Sequence, residues 1–116
     1  MIAMEKLAKQ AYLYDFYGEL LTEHQRQIYE EVVLNDMSLA EIAEEFGISR
    51  QGVHDIVRRC DRTLAGYEEK LHLIERFCSN REKIGRICAL ASDGAAEAKA
   101  SLQEIRQISE ELLEEL

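Results

Sequence analysis

Apolar residues recur along this chain in steps of three and four, the spacing that keeps one face of an α-helix out of water. Leu7, Ala8, Ala11, Tyr12, Tyr14 and Phe16 predict a first helix over 4–17, interrupted by Gly18. Thr22 opens "TEHQ", where its hydroxyl can accept from the backbone while Gln25 reaches back, so a second helix starts there. That helix buries Ile28, Tyr29, Val32 and Val33 and ends at Asn35-Asp36. "SLAE" repeats the capping box with Ser38 and Glu41 and predicts a short helix over 39–46. Gly47 then supplies a left-handed backbone, Ile48 drops into the core, and Ser49 caps the next helix.

The stripe that follows, Val53, Ile56, Val57, Cys60, Leu64, Tyr67, Leu71, Ile74 and Phe77, predicts one long helix that Gly66 bends or breaks. "SNRE" at 79–82 is a third capping box and places a new helix start near 80. Ile84, Ile87, Cys88 and Ala91 continue at helical spacing until Ser92-Asp93-Gly94 breaks the pattern. A last helix sets Ala98, Leu102, Ile105, Ser109, Leu112 and Leu116 at alternating steps of four and three, a short seam of heptad type. Such a seam fits packing on its own chain as well as pairing with a second copy, and Leu102, Ile105, Leu112 and Leu116 are the residues that would make a homodimer. The expectation is an all-α fold, with a helix-turn-helix head of three packed helices over 1–78 and a C-terminal helical arm over 79–116.

Two helices joined by so short a turn must cross closely, which needs a small residue on the first and a branched apolar one on the second. Ala43 and Val53 meet that need, and Ile42, Phe46, Ile48 and Ile56 fill the other inward positions. With Val53 taken as the buried centre and about 100° per residue, the outward side of the second helix carries Gln51, His54, Asp55, Arg58 and Arg62, flanked by Arg50 and Arg59. Ser49, Arg50, Gln51, His54, Arg58, Arg59 and Arg62 are therefore the candidate set for nucleic acid or another partner. Tyr12, Tyr14, Phe16 and Tyr17 could stack on bases, but stacking platforms sit beside cationic grooves, and the core is the better reading.

Composition changes the picture chiefly through charge. The 116 residues are 47% apolar and 32% charged, a globular balance, and the absence of proline suits helices. Three cysteines without framework spacing point to a reducing cytoplasm and to thiols buried on helix faces, and no apolar run is long enough to insert in a membrane. The formal charge is −9. Between Ser49 and Gly66 four arginines face two aspartates, but Glu41, Glu44 and Glu45 precede them and both flanks are acidic. Duplex DNA should repel such a chain except at this local patch, and a dimer would match half-sites about 34 Å apart.

The segment "SLAEIAEEFGISRQGVHDIVRR", with "LYDFYGELLTEHQRQIYEE" before it and "LAGYEEKLHLIERF" after it, resembles the YlxM-like family of small bacterial helix-turn-helix proteins over about 13–77. Its central part also resembles region four of bacterial sigma factors. The resemblance implies an all-helical cytoplasmic protein, encoded beside the GTPases of the signal recognition particle and regulating that protein-targeting pathway. Its implied partners are the particle's GTPase, its receptor or its RNA. Arg50, Gln51, His54 and Arg58 match the exposed positions of the motif. Read from the residues alone, a DNA-binding transcriptional regulator using the helix from Ser49 stays open beside it.

An enzyme is not indicated. His24, His54 and His72 lie far apart, no nucleophile stands in a recognisable setting, and no glycine-rich phosphate loop exists. "EKLH", Glu69 to His72, has the spacing of a di-iron bundle but lacks the second copy such a site needs. Neither a cofactor nor a metal is expected.

Overall fold

The computed structural model describes residues 5–92 and 98–115. Six helices follow in order: α1 (Lys6–Tyr17), extended by a 3₁₀ turn at Gly18–Leu20, then α2 (Glu23–Val33), α3 (Leu39–Phe46), α4 (Arg50–Leu71), α5 (Leu73–Ser92) and α6 (Ala98–Glu115). No strand occurs among the described residues. Two compact units result, Met1–Ile74 and Glu75–Leu116.

In the first unit α4 is the central element, and α1, α2 and α3 all pack on it. Its buried residues are Val53, Val57, Cys60 and Leu64, which step by four and three along one face. Against them lie Ile28, Tyr29 and Val33 of α2, Ile42 and Ala43 of α3, and Leu13, Tyr14 and Tyr17 of α1. Ile28, Tyr29, Ile42, Val53, Cys60 and Leu64 are fully out of water. Each of the large aliphatic side chains among them contributes about 1.5–3 kcal/mol of transfer free energy. Gly18 is required by the close packing of α1's end: a Cβ there would lie 2.8 Å from the ring of Tyr14.

Of the aromatic cluster of α1, Tyr14 and Tyr17 are core, while Tyr12 and Phe16 are half-buried and Leu7 is exposed; the phenols of Tyr14 and Tyr17 are tied to carboxylates of other helices. Tyr14 stacks on Tyr29 with ring centroids 5.6 Å apart and donates to Glu30. Tyr29 donates to Asp61 Oδ1 at 2.6 Å, and Gln10 Nε2 donates to both oxygens of the same carboxylate at 3.0 and 3.1 Å. Asp61 thus joins α1, α2 and α4 through three hydrogen bonds, and burial with the adjacent carboxylate raises the Tyr29 phenol well above its ordinary value.

Two expectations are corrected. Gly66 does not break α4, which runs on to Leu71; the glycine faces open space and its lost propensity, about 1 kcal/mol, is absorbed by the packed face around it. The helix start expected near 80 is absent, since "SNRE" lies inside α5. The break comes instead at His72, which adopts a left-handed backbone at φ 56°. There Tyr17 donates to Glu68 Oε1 at 2.5 Å and accepts the Leu73 N–H at 3.2 Å, while Glu68 Oε1 also accepts the Ile74 N–H at 2.9 Å. A carboxylate and a phenol thereby satisfy two of the orphan donors at the start of α5.

Side-chain burial also departs from the stripe. Leu71 is 47% exposed because α4 ends with it, and Phe46, Ile48 and Ile56 are half-buried rather than enclosed. Of the thiols only Cys60 is buried; Cys78 is half-buried and Cys88 exposed. The break expected at Asp93-Gly94 lies outside the described residues, with Ser92 the last residue of α5.

Burial pushes the Cys60 thiol from 9.0 up to about 11. Because the folded protein holds this proton to higher pH than the unfolded chain does, its contribution is complete below pH 9 and declines between pH 9 and 11. Urea titrations across that range should lose on the order of 2 kcal/mol from this group. Cys60→Ala should remove that loss, leaving the decline above pH 10 due to Tyr14, Tyr17 and Tyr29, whose phenols are raised in the same sense.

Candidate functional site

The turn between α3 and α4 is built by local chemistry. Ser38 caps α3 by accepting the Glu41 N–H at 3.2 Å, and Glu41 Oε1 takes the Ser38 hydroxyl at 3.0 Å. Gly47 ends α3 at φ 67° and ψ 32°, a left-handed conformation that costs a residue with a Cβ about 1 kcal/mol or more. The Ile48 N–H returns to the Ala43 carbonyl at 3.0 Å, and Ser49 Oγ accepts the Gly52 N–H at 2.9 Å to open α4. With Val53 fully buried and Ala43 8% exposed at the crossing, α4 has one face committed to the core and the other to solvent.

Ser49, Arg50, Gln51, His54, Arg58, Arg59 and Arg62 are all exposed. At about 100° per residue Gln51, Arg58 and Arg62 share one line along α4, with His54 just beside it. Arg59 stands about 100° round from Arg58 and Arg50 lies on the opposite flank in the first turn, so the seven candidates form one compact face of four with outlying neighbours. Ser49 serves as a cap, its oxygen already occupied.

Asp55, the acid in the middle of this face, is held by neighbours: Gln51 Nε2 donates to its Oδ1 at 2.9 Å, and His54 Nδ1 lies 3.9 Å from the same oxygen. Among the described residues the guanidinium groups of Arg50, Arg58, Arg59 and Arg62 enter no ion pair. The second aspartate of α4, Asp61, lies on the His54 side of the helix, where its oxygens accept from Tyr29 and Gln10. The two carboxylates keep their charge, so the face retains the local excess of four arginines over two aspartates read from the sequence.

Beside this face runs a shallow groove of about 330 Å³ lined by Lys6, Leu7 and Gln10 of α1, Val32 of α2, Leu39 of α3, and His54, Val57, Arg58 and Asp61 of α4. It brings the Lys6 ammonium to the same side as His54 and Arg58, a residue that reasoning from spacing does not select because nothing local to Lys6 signals the contact. In the other unit Leu102 is 66% exposed, Ile105 and Leu112 are half-buried, and Leu116 lies outside the described residues. Among the described residues no helix is long and apolar enough to cross a membrane.

Residues 4–108 match the family described as "Putative helix-turn-helix protein, YlxM / p13 like". The chain belongs to this family, UPF0122. A UPF0122 protein of Shouchella clausii (strain KSM-K16) is 45% identical over 100 residues, covering 85% of this chain and 92% of its own. UPF0122 proteins of Bacillus cereus (strain AH187) and Bacillus anthracis (strain A0248) are 42% identical over 90 residues, 78% of this chain and 82% of theirs. The family match reaches well beyond 77, through α5 and into α6, so the C-terminal helices belong to the YlxM-like pattern as much as the helix-turn-helix does.

The two aspartates of α4 should separate cleanly by substitution. Asp55→Asn removes an exposed charge from the arginine face and should raise the salt needed to elute the protein from heparin, with little change in stability. Asp61→Asn leaves the buried Tyr29 phenol and the half-buried Gln10 amide short of a charged acceptor and should cost about 1–3 kcal/mol in urea unfolding, a loss that Asp55→Asn does not share.

Proposed function

We propose that this YlxM-like protein is a non-enzymatic regulator of the signal recognition particle pathway in the cytoplasm, and that the outward face of α4 binds the particle's RNA. The observation carrying the reading is the set of exposed guanidiniums on α4 that enter no ion pair among the described residues, next to His54 and Lys6 at the groove. A phosphate backbone is the partner that such unneutralised, planar donors suit best. Acidic flanks limit the contact to this face and make it a local recognition rather than a general affinity for polyanions.

A second reading, a DNA-binding transcriptional regulator, is favoured by one feature: the first turn of α4, with Gln51 and Arg50 exposed beyond the Ser49 cap, is the part of such a helix that meets base edges in a major groove.

Titration of the full chain with the particle's RNA, its GTPase, its receptor and a library of duplex fragments, over a salt series, separates the two. The expected result is RNA binding whose logarithmic salt slope corresponds to about three or four phosphates, and Arg58→Ala should reduce that slope by about one. Sequence-selective capture of duplex DNA without RNA binding would move the function to transcription. Absence of binding to RNA, GTPase and receptor, together with unchanged GTP turnover, would remove the pathway assignment.

A further inference from the structure

The unit Glu75–Leu116 has a folding problem that its own two helices leave unsolved. No residue of α6 is buried, and the only buried residue of α5, Ile74, belongs to the first unit. The two helices are linked by exposed ion pairs, Lys83 Nζ to Glu115 Oε1 at 2.6 Å and Arg86 Nε to Glu104 Oε1 at 3.0 Å. Surface pairs of this kind contribute little to stability. Some further surface must cover the apolar side chains.

The direction of the pairs locates the uncovered face. Position 83 meets 115 and position 86 meets 104, so α5 and α6 run antiparallel. Ile87 of α5 and Ile105, Ile108 and Leu112 of α6 are half-buried on the ion-paired sides. On α5 a second apolar stripe, Ile84, Cys88 and Ala91 with Phe77 one heptad before Ile84, lies about 110° round from that side. On α6 Leu102, Ser109 and Leu113 lie round by a similar angle in the same rotational sense. Since the helices point in opposite directions, equal rotations bring the two stripes out on one side of the pair. That side exposes Ile84 by 51%, Leu102 by 66% and Leu113 by 69%, with Phe77 at 38% under the Arg81 guanidinium.

We propose that this face is a homodimer interface, with a second copy of the chain as its occupant. The face complements itself when turned by a two-fold axis. An axis passing between Gln107 and Ile108 sets Leu102 against Leu113 of the second copy, at both ends of the contact. The same rotation brings Arg106 beside Glu110 of the second copy, opposite charges that in one chain already lie 3.2 Å apart. Small residues, Ser109 on α6 and Cys88 and Ala91 on α5, leave room for close approach. Covering the stripe and its flanks would bury on the order of 1,200 Å² in total, at the lower end of specific interfaces. The resulting dimer divides the seam expected from the sequence: Ile105 and Leu112 serve the helix pair itself, whereas Leu102, with Leu113 beside the seam, serves the second copy.

Sedimentation equilibrium of the full chain should show a concentration-dependent shift from one to two copies of the 13.4 kDa chain. Leu102→Glu with Leu113→Glu should hold it at one copy, with helicity retained. The register is tested separately by Leu102→Cys with Leu113→Cys in a Cys88→Ser background. These positions lie about 16 Å apart along one helix and cannot bridge within a chain. Oxidation should therefore yield a disulfide-linked pair of chains in high yield, reversed by reductant. A wild-type chain that stays single at about 100 μM, a dimer untouched by the glutamate substitutions, or cysteines that fail to link the copies would each overturn the proposal.

Discussion

The buried face of α4 is the constraint on which the rest of the first unit depends. Helices of eight to twelve residues cannot hold themselves in water, and α1, α2 and α3 are stabilised by closing on the line Val53, Val57, Cys60, Leu64. Once that line is buried, a helix of 22 residues has only its opposite side left for solvent. The side chains that occupy that side, Gln51, Arg58 and Arg62, are presented as a direct consequence of the packing. Fold and candidate site are thus two sides of one helix, and a change that rotated α4 would lose both together.

A tyrosine–carboxylate pattern ties the helices around this spine. Tyr14 reaches Glu30, Tyr29 reaches Asp61 and Tyr17 reaches Glu68, each phenol standing at the edge of the core with its oxygen turned to an acid. These contacts bear on the contrast between an acidic chain and a helix-turn-helix. Several carboxylates accept internal hydrogen bonds and Asp55 accepts from Gln51, while among the described residues Arg50, Arg58, Arg59 and Arg62 of α4 enter no ion pair. Net charge sets long-range repulsion, but contact energies at a phosphate are set within a Debye length of about 8 Å, where the arginine face is positive.

How much of this could be read beforehand depends on the range of the interaction concerned. Thr22, Ser38, Gly47 and Ser49 act within three or four residues of themselves, and each forms the cap or turn that its local pattern indicates. The outward position of Arg58 and Arg62 follows from helical geometry alone. By contrast, the break at His72 depends on Tyr17, more than fifty positions away, and on a glutamate that accepts across the junction. Gly66 carries the stronger local signal for a break, but nothing packs against it to make use of that freedom. The hydrogen bonds to Asp61 are hidden for the same reason, since its donors Gln10 and Tyr29 come from two other helices. The "SNRE" box shows the converse: a capping sequence is only an offer to the backbone, and inside α5 continued helix wins.

Phosphate contacts act additively on affinity, whereas a face with four well-placed polar residues can reach only a few phosphates at once. Glu41, Glu44 and Glu45, exposed on α3 just before the turn, work against a larger cationic patch. Selectivity must then come from how such faces are combined or from the shape of the nucleic acid that meets a single face. A folded RNA offers that shape within one molecule, with bends and grooves that gather several phosphates against a small convex surface. A straight duplex offers it only as repeated half-sites, and so asks for two heads at a fixed spacing. This difference is why a small cationic face on an acidic protein suits a structured RNA first, and why DNA recognition by the same face requires a second copy.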